Sequence, residues 1–437
     1  MSSCEWEPPD YLSGEQVIRM SEEALGRPRI PYSGREEITR VRAVGMDWDI
    51  ACKVYEPDDP DLISTGADGK KAGIFILHGG ASDHRQLEPL APILTGGYGY
   101  KTVFMTFPGR FYFHAEDRNW PGDTINADGT ARTPLWTRET RITADQYELV
   151  RDRSDIKRRE KWGTLFFLRA REGTEFYHRM AGWPVAFEEG MKSLCRRFFP
   201  PGEFSIYVHG HSTGGPFACI LLQRVENVAG LVGTEGSPFG YIVGEHNARL
   251  GLSWTHPFNY LVLRTWRHIA KYAGPESGAD GMRRLPMLME EVLEEWHQQR
   301  RQPQFKAEYI VHYGVESALT EAALVTAERL KLSGEDTQEL VRRYVDYTRP
   351  LSGPGTRPVP PLLLGIAAHS VDHTFERYSE VDLPMFAALR PAPRVRLTRF
   401  GLGVHNKLRP EEGLPMGIGP AVCHLWHDAI QNGYYVV

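Results

Sequence analysis

The sequence predicts an α/β protein, with a mostly parallel β-sheet and helices on both of its faces. The first observation is a set of short runs that are apolar almost throughout, as is typical of strands covered on both sides. These runs are Gly73–Leu77, Phe204–Val208, Val228–Val232 and Pro361–Ala368. The second observation is that segments with helical spacing lie between them, because parallel strands need long crossover connections.

Composition sets limits on the class of protein. The chain has 437 residues and 41% of them are apolar, which suits one large α/β domain with insertions or two domains. The net charge of −5 gives no electrostatic footprint for nucleic acid. The N-terminus does not resemble a secretory signal, and no run is long enough for a membrane span. Five scattered cysteines without a C-x-x-C pair favour reduced thiols, so we expect a cytoplasmic location.

The first half of the chain divides into an arm and the beginning of the core. Residues 1–35 are predicted to form an N-terminal arm packed on the surface, and residues 36–241 the first part of the α/β core. Alternating apolar residues on either side of Gly45 predict an antiparallel hairpin. Residues 114–162 indicate an insertion at the rim, first a loop and then a charged helix from Thr143 to Trp162.

The second half carries a large helical region. Residues 242–357 contain four segments with amphipathic spacing, which predict a helical cap inserted between the sixth and seventh strands. Residues 358–437 return to the core. They contain a last strand at Arg394–Gly401 and a closing helix at Pro420–Asn432.

The most informative motif of the chain lies at residues 204–214. The buried strand Phe204–Val208 is followed by the sequence Gly-His-Ser-Thr-Gly at 210–214 and then by an apolar helical segment. Strand, G-x-S-x-G and helix in this order form a nucleophile elbow, in which a tight turn projects the serine from the top of the sheet. Ser212 is therefore the candidate nucleophile. The alternative is a glycine-rich turn that happens to contain a serine.

On these residues the chain resembles the α/β-hydrolase fold, over about residues 36–110, 163–240 and 361–437. The resemblance implies an oxyanion hole made by backbone N–H groups, one of them from Thr213 after the nucleophile. The sequence His-Gly-Gly-Ala at 78–81 follows the third strand, where the family places the second donor. Gly80 and Ala81 are both candidates, since the longer H-G-G-G form is absent. The alternative is an ordinary glycine turn.

A serine hydroxyl needs a base to take its proton and a carboxylate to orient that base. The resemblance implies the chain order serine, acid, histidine. His405 follows the last strand and is the candidate base, with His369 and His373 as rivals.

Two residues compete for the role of the acid. Asp372 follows the seventh strand, which is the commoner position in this fold. Glu235 follows the sixth strand, in the sequence Thr-Glu-Gly-Ser-Pro. That setting resembles a group of esterases whose acid is a glutamate at this strand end, and we therefore favour Glu235.

These residues lead to an expected function. We expect hydrolysis of a carboxylic ester of a small organic substrate through an acyl-enzyme, with no cofactor and no metal. The sequence has no H-E-x-x-H and no cysteine–histidine spacing for zinc. Two alternatives stay open. One is cleavage of an amide, lactone or carbon–carbon bond by the same residues. The other is a catalytically silent protein that binds a small apolar ligand.

Overall fold

A computed structural model describes most of the predicted core. The described residues are 10–43, 45–79, 83–109, 135–140, 142–151, 166–171, 174–212, 214–235, 357–368, 378, 383–387, 389–403 and 417–437. The predicted helical cap at 242–357 lies outside this part of the chain, except for Arg357.

The chain has an α/β fold built on a mostly parallel sheet, as the sequence predicts. Nine strands lie in the order β1-β11-β10-β9-β8-β4-β5-β3-β2, and β6 and β7 form a separate pair. All neighbours in the large sheet are parallel except β2 with β3 and β3 with β5. The strands are β1 Asp10–Leu12, β2 Tyr32–Ala43, β3 Met46–Pro57, β4 Lys71–Leu77, β5 Lys101–Met105, β6 Tyr147–Arg151, β7 Phe166–Ala170, β8 Phe204–His211, β9 Val228–Thr234, β10 Leu362–Ala367 and β11 Val395–Phe400. The helices are α1 Gly14–Leu25, α2 Ala91–Leu94, α3 Glu175–Phe198, α4 Gly214–Arg224, α5 Leu383–Ala387 and α6 Gly419–Gln431.

The two faces of the sheet are covered by different helices. Ile74 and Ile76 of β4 belong to one buried core that also contains residues of α1, α2 and α6. Gly73 lies on the other face of the same strand, where a Cβ would meet the ring of Phe199 just after α3. Helices α3 and α4 cover that face, and Phe187 of α3 packs against Phe217 of α4 with ring centroids 3.9 Å apart.

The N-terminal arm contributes a strand to the sheet. Strand β1 pairs in parallel with β11, and the N–H of Gly401 donates to the carbonyl oxygen of Leu12 at 2.6 Å. Helix α1 packs against α6 through Val17 and Ala24, which are fully buried. The sequence predicts about eight strands in the sheet. The short strand β1 is not one of them.

The predicted charged helix from Thr143 to Trp162 is wrong over Tyr147–Arg151. These five residues form β6, which pairs antiparallel with β7. Their sequence, Tyr-Glu-Leu-Val-Arg, alternates apolar and charged side chains up to Leu149, and this alternation is the period of a strand rather than of a helix. The pairing of Tyr147–Arg151 with Phe166–Ala170 joins residues on either side of the charged sequence at 152–161.

Candidate active site

The predicted elbow is present at the end of β8. Ser212 directly follows this fully buried strand and lies two residues before α4, with a backbone φ of +52°. This left-handed conformation is unfavourable for a residue with a Cβ, and such strain is concentrated at functional sites. The N–H of Ser212 donates to the carbonyl oxygen of Thr234 at 3.1 Å, which ties the turn to the end of β9.

The two glycines of the motif are required by close packing. A Cβ on Gly210 would overlap the backbone of Gly214, whose carbonyl carbon would lie 2.7 Å away. A Cβ on Gly214 would lie 2.9 Å from the carbonyl oxygen of His78, at the end of β4. Strand β8, helix α4 and strand β4 therefore meet at a distance that only glycine permits.

Glu235 directly follows β9, the neighbour of β8 in the sheet, and lies at the same end of the sheet as Ser212. In the pairing of β8 with β9, His211 lies opposite Thr234, so Ser212 and Glu235 follow at adjacent strand ends. Glu235 also has a left-handed φ, +53°, and its side chain is completely buried. Its Oε1 accepts a hydrogen bond from the N–H of Ala367, the last residue of β10. The carboxylate thus reaches from the end of β9 to the end of β10, the next strand of the sheet.

A histidine fixes the turn that follows β4. His78 is buried, and its Nε2 accepts a hydrogen bond from the N–H of Phe107 at 3.3 Å. Its Nδ1–H therefore donates to the carbonyl oxygen of Gly79 at 2.7 Å. The imidazole ring also stacks on the ring of Phe107, with the two ring centroids 3.7 Å apart. Gly79 lies beside Ser212, since a Cβ on Gly79 would be 3.3 Å from Cβ of this serine.

Two more histidines support the elbow from within the sheet. The Nδ1–H of His211 donates to the carbonyl oxygen of Thr234 at 3.1 Å, the same oxygen that accepts from Ser212. The Nδ1–H of His209 donates to the carbonyl oxygen of Val232 at 3.0 Å, and the imidazole ring of His209 lies against the ring of Trp426. Burial lowers the pKa of His209 to about 4, so this ring is neutral at physiological pH.

The structure brings together some of the predicted site residues. Ser212 and Glu235 lie at adjacent strand ends, and Gly79 of the predicted oxyanion turn lies against Ser212. The other predicted residues lie outside the described part of the chain; they are Gly80, Ala81, Thr213, Asp372 and His405, together with the rivals His369 and His373.

Two residues of this candidate site have little or no signal in the sequence. His78 anchors the turn after β4, and Gln86 accepts a hydrogen bond from the N–H of Gly79 at 2.6 Å. The only sequence signal for His78 is its place directly before two glycines. Gln86 has no sequence signal, because no local pattern indicates its contact with Gly79, seven residues away.

Fold and site together define an α/β protein with a strained serine between a glycine turn and a buried glutamate, at the carboxyl ends of parallel strands. Ligands of open α/β sheets bind at this edge. Among the described residues, no helix combines the length and the apolar character needed to cross a membrane.

Comparisons with known proteins give only distant likenesses. No family profile matches the chain, and no curated protein matches it. Among solved structures, a Legionella pneumophila protein provisionally assigned as a hydrolase has 13% identity and a TM-score of 0.41, with 95% of each chain covered. A thermophilic esterase from Thermogutta terrifontis has 12% identity and a TM-score of 0.34, covering 90% of this chain and 97% of its own. A haloalkane dehalogenase from Bradyrhizobium elkani has 14% identity and a TM-score of 0.35, covering 91% of this chain and 99% of its own.

Proposed function

We propose that this chain is a serine hydrolase of the α/β-hydrolase fold that cleaves carboxylic esters of small organic molecules. The observation that carries the proposal is the left-handed φ of Ser212 on a strand-to-helix turn at the top of a parallel sheet. A strained serine in this position exposes its hydroxyl to the space above the strand ends. The adjacent buried Glu235 supplies the type of group that a serine nucleophile needs nearby.

In the proposed reaction, Oγ of Ser212 forms a bond to the ester carbonyl carbon while His405 accepts the hydroxyl proton. The carbonyl π electrons move to oxygen, and backbone N–H groups of Thr213 and of Gly80 or Ala81 stabilise the oxyanion. When the oxyanion collapses, the carbon–oxygen bond to the alcohol breaks and His405 returns the proton to the leaving alcohol. Water then attacks the acyl-enzyme by the same steps, which releases the acid and restores the serine.

The position of Glu235 supports its role as the acid. Its carboxylate reaches the end of β10, which lies between β9 and β11, and His405 follows the last residue of β11 by five positions. The N–H of Ala368 donates to the carbonyl oxygen of Leu402 at 3.2 Å, so the chain leading to His405 is attached to the same end of β10. A carboxylate accepts several hydrogen bonds, and its bond from Ala367 is compatible with one from an imidazole.

Hydrolysis of p-nitrophenyl esters of rising acyl length tests the proposal. We expect turnover by the wild-type protein and a loss on the order of 10⁶-fold in kcat for Ser212→Ala. Ser205→Ala is the matched control, since Ser205 lies on the same strand β8 and outside the site. Residual activity of Ser212→Ala within tenfold of the wild type would contradict the proposal.

A further inference from the structure

The side chain of Gln86 is held beside the candidate nucleophile. Gln86 lies in a 3₁₀ turn that starts at Asp83, and its backbone N–H donates to the carbonyl oxygen of Asp83 at 3.0 Å. Its Oε1 accepts the N–H of Gly79 at 2.6 Å, across seven residues of chain. The N–H of Gly79 is thereby bound to a side chain, which leaves the role of oxyanion donor to other amides.

The orientation of the carboxamide follows from this bond. Because Oε1 accepts from Gly79, both hydrogens on Nε2 point elsewhere. The position that a Cβ on Gly79 would occupy lies 3.0 Å from Oε1 of Gln86, 3.3 Å from its Nε2 and 3.3 Å from Cβ of Ser212. The carboxamide and the serine side chain therefore border the same small space beside Gly79.

We infer that Gln86 contributes to the oxyanion site with both ends of its carboxamide. The oxygen positions the turn after β4 by holding the N–H of Gly79, and the nitrogen donates a hydrogen bond to the substrate carbonyl oxygen as it becomes negative. This inference rests on the proposed function. A fixed N–H donor at a developing oxyanion stabilises the transition state because little reorganisation is needed when the charge forms.

The charges around Gln86 are compatible with a developing anion. The carboxylate of Asp83, three residues before Gln86, has its pKa lowered to about 2 against its burial, chiefly by hydrogen bonds from the side chain and backbone N–H of Arg85. Nε of Arg85 donates to Asp83 Oδ1 at 2.9 Å, and the pair therefore has no net charge. Gln86 itself does not titrate, and its donors remain available at every pH at which the protein is folded.

Three variants test the inference. Gln86→Glu keeps an acceptor for the N–H of Gly79 but replaces the donor by a second carboxylate oxygen, and Gln86→Met removes both groups at similar size. Gln16→Glu is the matched control, because Oε1 of Gln16 accepts the N–H of Ser13 at 2.8 Å in a capping box where glutamate serves equally well.

We measure kcat and KM for a p-nitrophenyl ester, inhibition by a trifluoromethyl ketone that forms an oxyanion on serine, and unfolding by urea. For Gln86→Glu and Gln86→Met we expect kcat to fall on the order of 10²- to 10³-fold with little change in KM. Affinity for the ketone should weaken in parallel, and Gln86→Glu should unfold like the wild type. Gln16→Glu should match the wild type in every measurement.

Each other result has a distinct meaning. Near-wild-type activity of Gln86→Glu beside a crippled Gln86→Met would overturn the donor role, because only the acceptor would then matter. Wild-type activity of both would overturn the whole inference. Turnover by Ser212→Ala in the same assay would instead refute the proposed function. If Gln86→Met does not fold, near-wild-type activity of Gln86→Glu still overturns the donor role, because Gln86→Glu keeps an acceptor for the N–H of Gly79 and lacks the donor.

Discussion

The backbone strain at Ser212 predicts that glycine is more stable than alanine at this position. A left-handed φ costs a residue with a Cβ about 1–2 kcal/mol, and glycine adopts it without this penalty. Glycine also loses more conformational entropy on folding, by roughly 0.5–1 kcal/mol. With Ser212 at φ +52°, Ser212→Gly should therefore be about 1 kcal/mol more stable toward unfolding than Ser212→Ala, although both variants lack the nucleophile.

Urea denaturation of the two variants, followed by tryptophan fluorescence, measures this difference. Ser205 provides the control pair, because it lies within β8, its φ is not positive, and glycine and alanine both remove its hydrogen bond to Asp68. At that position glycine should be the less stable residue, by roughly 0.5–1 kcal/mol. The sign of the glycine-minus-alanine difference should thus reverse between two serines of one segment. Equal stability of Ser212→Gly and Ser212→Ala, or a less stable Ser212→Gly, would refute the argument from strain.

Two further predictions concern the acid and the buried histidine. Glu235→Gln keeps an acceptor for Ala367 but holds the wrong histidine tautomer, so kcat should fall on the order of 10⁴-fold, whereas Asp372→Asn should lose far less. The reverse order in steady-state kinetics would assign the acid to Asp372. His209 has a pKa of about 4 in the folded protein against 6.5 normally, so the unfolded chain binds its proton first as the pH falls. Wild-type stability should drop between pH 7 and pH 5 by about 2 kcal/mol more than that of His209→Gln, and equal pH dependence in urea unfolding would contradict this.

The sheet was predictable from sequence because its signal is local. Runs such as Phe204–Val208 are apolar throughout, and a strand covered on both faces needs this composition. The elbow was predictable for the same reason, since G-x-S-x-G between a strand and a helix places all its information within a few residues.

The parts of the structure that the sequence does not predict depend on contacts between residues that are distant in the chain. Strand β1 has only three residues and forms because β11 offers an edge, which no local pattern indicates. Strand β6 lies among charged residues, and its alternation of apolar and charged side chains is too short to predict a strand. It forms through its antiparallel pairing with β7. Gln86 binds the N–H of Gly79 across seven residues of chain, and no local pattern indicates this contact. Glu235 likewise binds the N–H of Ala367, 132 residues away in the sequence.

The most direct test of the central claim is covalent labelling with a fluorophosphonate. Intact mass and peptide mapping should show one adduct per chain, located on Ser212, in the wild type and in Ser205→Ala, and none in Ser212→Ala. This result is expected because only an activated serine attacks the phosphorus centre rapidly. An unlabelled wild-type protein, or a label that persists in Ser212→Ala at the same rate, would contradict the assignment of Ser212 as the nucleophile of a serine hydrolase.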